Sequence, residues 1–121
     1  MKLRIAVAAA AALLAPTALT TSATAEAAGA LCFVRADGWL YCENDAPEKL
    51  WGGYTKPSPV NLRDYLYTTQ STFKCWAHGT LHNGGNDIWY YAQGDKYGNW
   101  GWLAAQNVHT LVDPPARMNK C

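Results

Sequence analysis

The chain is short of charge: 16% of its 121 residues are Asp, Glu, Lys or Arg, with ten basic residues set against nine acidic ones. Neither sign gathers into a stripe that could neutralise phosphates, which argues against nucleic acid as the natural partner. A membrane-crossing helix needs roughly 18–20 consecutive apolar residues, and the run from Ile5 to Ala15 falls well short of that. There is no Cys-x-x-Cys spacing of the kind used for zinc or redox chemistry, and no Gly-x-Ser-x-Gly nucleophile elbow. Amphipathic helical periodicity is scarce as well. What remains is a small domain with four Cys, six Trp and seven Tyr.

The amino terminus does not belong to that domain. Lys2 and Arg4 precede the apolar run, and Pro16 and a Ser/Thr/Ala-rich stretch follow it, the layout of a secretory signal peptide. Ala23-Thr24-Ala25 offers cleavage after Ala25, with Ala25-Glu26-Ala27 and Ala28-Gly29-Ala30 as rival sites, and no Cys stands there to accept a lipid. Residues 1–25 are therefore read as an export signal and 26–121 as one domain. Cleavage after Ala25 removes Lys2 and Arg4 and no acid, leaving eight basic against nine acidic residues and a net charge of −1. Every Trp, Tyr and Cys is retained, as expected of a small extracellular or envelope-associated domain oxidised after export.

Four Cys allow three pairings, and local geometry favours one of them. Between Cys32 and Cys42, two apolar segments flank Ala36-Asp37-Gly38. A three-residue hairpin loop ends in a left-handed residue, a conformation that Gly38 adopts without a Cβ clash. This loop sets Arg35 opposite Trp39, Val34 opposite Leu40, Phe33 opposite Tyr41, and Cys32 opposite Cys42. Cys75 and Cys121 remain as the second pair, fastening the tail to the strand around Phe73. By the chain-entropy relation these closures contribute roughly 2.8 and about 4.0 kcal/mol, comparable with the whole stability of a small domain.

Beyond the hairpin, Glu43 to Lys49 reads as a connection and Leu50-Trp51-Gly52-Gly53-Tyr54 as a short strand with a glycine bulge. Lys56-Pro57-Ser58-Pro59 is a loop that neither a helix nor a central strand accommodates. Residues Val60 to Tyr67 lead from loop into strand, and Phe73 to Ala77 forms another. A polar loop, His78 to Asp87, precedes the strand Ile88-Trp89-Tyr90-Tyr91-Ala92. The chain turns at Gly94 to Asn99 and returns along Trp100-Gly101-Trp102-Leu103. Short strands at this spacing predict an all-β barrel or sandwich.

The aromatic strand, the hairpin and the Gly-aromatic-aliphatic strand running on to Val108 resemble the distal half of an SH3-like barrel. The segment from Phe73 to Pro115 is similar to bacterial SH3-like domains of small secreted proteins, through Cys75-Trp76, Gly84-Gly85-Asn86, Trp89-Tyr90-Tyr91 and Gly94-Asp95. The resemblance implies a small barrel of five or six strands, here with an N-terminal disulfide-closed hairpin. It also implies binding rather than catalysis, with cell-wall peptide or glycan among the ligand classes. In relatives that grip Pro-rich helices the groove is a row of rings. Trp89 matches the first of these, but Ala104 stands where such a groove has Pro and Asn107 where it has Tyr, so that mode of recognition is not expected.

Trp76, Trp89, Tyr91, Trp100 and Trp102 are the candidate ligand-binding residues. Strand alternation puts Trp100 and Trp102 on one face, and Trp76 on the face opposite Phe73 and Cys75. If Cys75 and Leu103 point inward, several indoles lie at the surface, where flat rings can stack on sugar or peptide. The competing role for these rings is packing, since a domain this small needs large side chains for its core.

His78 and His82 are four apart, and with Asp87 could hold a metal on a helix, but the segment is a loop and the ligand set is incomplete. No metal or other cofactor is expected. Asp87 and Asp95 flank one strand near opposite ends, a poor arrangement for paired-carboxylate glycoside hydrolysis, and no catalytic activity is expected. Lys56-Pro57-Ser58-Pro59 suggests a second function, a protease-inhibitor loop, though no Cys braces it. The sequence thus predicts an exported, monomeric binding module whose partner is cell-wall peptide or glycan, or another secreted protein.

Overall fold

The structure, a computed structural model, describes residues 31–121; the predicted export signal and its rival cleavage sites lie outside the described residues. Among the described residues there are eight strands: β1 (Cys32–Val34), β2 (Leu40–Glu43), β3 (Glu48–Trp51), β4 (Leu62–Leu66), β5 (Gln70–Phe73), β6 (Cys75–His78), β7 (Ile88–Gln93) and β8 (Trp100–Ala104). A single 3₁₀ turn, Ala105–Asn107, follows β8. The strands form two antiparallel sheets, one ordered β1-β2-β5 and the other β4-β3-β8-β7-β6. No helix of the described residues is long and apolar enough to cross a membrane.

The first hairpin has the register its loop requires, with Cys32 opposite Cys42, Phe33 opposite Tyr41 and Val34 opposite Leu40. Gly38 takes φ +87° and its N–H donates to Arg35 O at 2.9 Å, while Arg35 N–H donates to Trp39 O at 2.7 Å. Cys32 is bonded to Cys42 and Cys75 to Cys121, leaving no free thiol among the described residues.

Three local expectations need correction. The stretch Phe73 to Ala77 is not one strand: β5 ends at Phe73 in the smaller sheet and β6 begins at Cys75 in the larger one. Lys74, between them, donates its N–H to Tyr91 O at 2.8 Å, so the backbone turns a corner from one sheet to the other. The supposed connection Glu43 to Lys49 already contains the start of β3 at Glu48. The irregularity in β3 lies between Leu50 and Trp51, and Gly52 has left the strand, donating its N–H to Asn61 O at 2.8 Å.

The core is built from the facing sides of the two sheets. Leu40, Cys42 and Phe73 come from the smaller sheet, and Leu50, Leu66, Ile88, Tyr90, Ala92 and Leu103 from the larger. Tyr90 is fully buried, with its ring 5.9 Å from that of Phe73, and its hydroxyl donates to Asp113 at 2.6 Å. Burial pushes the Tyr90 phenol well above its usual pKa, and the Asp113 carboxylate adds to the shift.

Candidate functional site

The site follows from the pairing of β7 with β8. Tyr91 is opposite Trp102, Gln93 opposite Trp100, and Tyr90 opposite Leu103. Directly paired residues share a face, so burial of Tyr90 and Leu103 on the core side leaves Tyr91, Trp100 and Trp102 on the other side. All three are half-buried. Trp51 of β3 is opposite Trp102 and extends the set by one strand.

These rings touch in sequence. Trp100 and Tyr91 are stacked, with centroids 5.3 Å apart and planes 26° apart, and Tyr91 meets Trp102 at 4.6 Å. From the first hairpin, Trp39 reaches the edge of Trp100 at 6.4 Å. The result is a row Trp39, Trp100, Tyr91, Trp102 with Trp51 beyond it. A hollow of about 250 Å³ adjoins Trp39 and Trp100, and another of about 330 Å³ adjoins Trp51 and Tyr65.

A buried carboxylate fixes the turn that positions this row. Asp64 of β4 is fully buried and accepts the N–H groups of Tyr65, Lys96, Tyr97 and Asn99 at 2.7–3.1 Å. Burial by itself would raise its pKa, but the four donors outweigh it and hold the carboxyl below the usual carboxylate range. Gly94 lies so close to Asp64 that a Cβ there would overlap the carboxylate. Lys96, Tyr97 and Asn99 belong to the turn between β7 and β8, so Asp64 sets where Trp100 begins.

Two predicted contact residues lie elsewhere. Trp76 is opposite Tyr90 and therefore on the core side, packed against the core. The tail covers it: its Nε1–H donates to Met118 O at 3.3 Å, its backbone N–H donates to Asn119 O, and the Lys120 ammonium lies 5.3 Å from its ring centroid. Cys75, opposite Tyr91, is on the outer side with the ring row. Cys75 and Leu103 thus point to opposite sides of the sheet, and the assumption that both face inward does not hold.

Trp89 is on the outer side but only 2% exposed, because the loop after β6 folds over it. Its Nε1–H donates to Thr80 O at 2.9 Å, and His82 meets its ring edge-on at 5.8 Å. It forms part of a cleft of about 270 Å³ shared with Trp51, Leu81, Asn83, Ala104 and Asn107. Trp89, Ala104 and Asn107, the three positions matched to the SH3 groove, therefore line one cleft. Trp51 joins that cleft to the ring row.

The remaining candidates are held in local hydrogen bonds. His82 accepts the Gly84 N–H on Nδ1 at 3.1 Å, which leaves Nε2–H to donate to Ile88 O at 2.9 Å. His78 bonds Asp87 at 2.8 Å, and this bond draws the Asp87 carboxyl below its usual pKa. No group of three or more His, Cys, Asp or Glu suited to a metal is gathered among the described residues. Asp95 accepts the N–H groups of Tyr67 and Thr68 at 2.7 and 3.1 Å. In the Lys56–Pro59 loop, Pro57 and Ser58 are buried and Pro57 O accepts the Thr80 N–H, so only Lys56 and Pro59 are presented.

Trp39 and Trp51 are the members of the row that sequence reasoning missed. Trp39 could have been suspected from its place beside the hairpin loop. Nothing local announces Trp51, whose position depends on β3 pairing with β8, some fifty residues later. The chain matches no family model, no curated protein and no solved structure.

Proposed function

We propose that this protein is an exported, non-catalytic binding module of SH3-like type that holds a cell-envelope glycan on the row Trp39, Trp100, Tyr91, Trp102 and Trp51. One observation carries this reading: the touching rings of Trp100, Tyr91 and Trp102 occupy the side of the larger sheet that faces away from the core, and Trp39 of the first hairpin extends them. Indoles stack on the C–H faces of sugars, and the half-buried rings of this row form a contiguous aromatic surface on which a sugar could stack. Export is supported by the N-terminal sequence and by two disulfides, which persist in oxidising compartments. The non-catalytic reading is supported by the carboxylates, since Asp64, Asp87, Asp95 and Asp113 each accept hydrogen bonds that hold loops or the tail in place.

The test is retention on purified peptidoglycan, chitin, cellulose and an insoluble acidic polysaccharide, comparing the native protein with Trp100→Ala and Trp102→Ala. Retention by at least one matrix, lost in both variants while circular dichroism stays native, is expected. Unchanged retention of the folded variants would remove the row from the site.

A further inference from the structure

The lysines beside the ring row narrow the ligand further. The Lys49 ammonium lies 5.8 Å from the Trp51 ring centroid, Lys74 lies 5.6 Å from Trp100, and Lys96 lies 5.2 Å from Tyr65. Lys49 and Tyr65 are directly paired across β3 and β4, on the same side as Trp51. None of the three lysines is within ion-pairing distance of a carboxylate among the described residues. Arg35 also lies over a ring, that of Trp39, but Asp37 already neutralises it at 2.5 Å.

Most of the acids are occupied elsewhere, but Asp95, exposed and accepting the Tyr67 and Thr68 N–H groups, lines the hollow beside Trp39 and Trp100. Glu43 and Asp45 flank His109, Asp87 binds His78, and the Asp64 carboxylate is sealed under the β7–β8 turn. Glu48, on the rim beside Lys49, is half-buried. Lys49, Lys74 and Lys96 thus outnumber Glu48 and Asp95, the two acids bordering the row, and a chain that is almost neutral as a whole carries an excess of positive charge along this one face.

We propose that the ligand of this face is an acidic polysaccharide, whose sugar rings lie on the indoles while their carboxylates meet Lys49, Lys74 and Lys96. In the free protein each ammonium rests against a ring, a contact worth little at an exposed site. A uronic acid carries its carboxylate at the edge of the sugar ring. As the C–H face settles on an indole, the neighbouring ammonium moves aside onto that carboxylate, and the ion pair replaces the cation–ring contact. In a nucleic acid the phosphate is separated from the flat base by a sugar, which fits this side-by-side placement less well. This inference rests on the proposed glycan platform.

A matched pair of ligands tests it: polygalacturonate and its fully methyl-esterified form, which keeps the sugar backbone and removes the charge. Affinity electrophoresis or calorimetry with the purified protein is expected to show tighter binding of the acid form, weakening about tenfold as NaCl rises from about 50 to about 500 mM. Lys74→Gln and Lys49→Gln are each expected to lower that affinity about fivefold and to leave the thermal midpoint unchanged. Equal binding of the two forms, lost in Trp100→Ala, would overturn the acidic ligand and leave the platform standing. Tighter binding of an oligothymidylate of similar length would overturn the polysaccharide assignment. Binding of neither form, nor of any matrix above, would overturn both readings.

Discussion

Trp76 and Trp102 are both half-buried indoles in the same sheet, yet the molecule treats them differently. Trp76 looks toward the core, and the C-terminal tail closes over it through a hydrogen bond from its ring N–H, a lysine and a disulfide. Trp102 looks outward and meets Tyr91, with no tail segment drawn across it. The same residue type serves packing in one place and is left available in the other, and the deciding factor is which side of the strand the register assigns. Composition alone cannot make that distinction.

The strongest way to break the contrast is to release the tail. The double variant Cys75→Ser/Cys121→Ser is expected to lose about 4 kcal/mol of stability in urea titration and to make Trp76 accessible to acrylamide quenching. An unchanged quenching profile would mean that the tail stays in place without its disulfide. Truncating the two indoles compares them directly. Trp76→Ala is expected to cost about 3 kcal/mol, as for a ring removed from packed surroundings, and Trp102→Ala about 1 kcal/mol. Similar losses in thermal unfolding would show that Trp102 is a packing residue after all.

Asp64 tests whether the outer row depends on its turn. Asp64→Asn replaces a carboxylate oxygen facing backbone donors with an amide group, at an expected cost of about 2 kcal/mol. Its pKa is lowered on folding, so its contribution is complete above the ordinary value of 3.8 and is lost as pH falls through the lower folded value. Urea midpoints taken at about pH 6 and about pH 3 should therefore differ less in Asp64→Asn than in the native protein. A larger difference in the variant would refute that role. An effect as small as that of Trp102→Ala is expected from Tyr90→Phe, which removes one hydrogen bond to Asp113 and lowers stability by about 1 kcal/mol in the same titration.

The first hairpin was legible because a three-residue loop with Gly38 leaves one register, and that register pairs Cys32 with Cys42. The β7–β8 hairpin was legible for a similar reason, its aromatic strands being separated by a short polar turn. Long-range pairings were not. Phe73 and Cys75 lie in different sheets because the chain bends at Lys74, and no residue there carries a turn signature such as Gly or Pro. That corner let Cys75 face outward, which in turn placed Trp76 inward and removed it from the row. Alternation along β7 puts Trp89 on the outer side with Tyr91, but alternation does not report that the loop from Gly79 to Asp87 folds over it.

The corner at Lys74 links architecture to surface in one more way. Its backbone N–H is bonded to Tyr91 O while its side chain overlies Trp100, so a single residue joins the crossing between the sheets to two rings of the row. Flexing of one layer against the other would then shift an ammonium relative to an indole. Hydrogen exchange at that one amide would register occupancy of the rings from the seam between the layers.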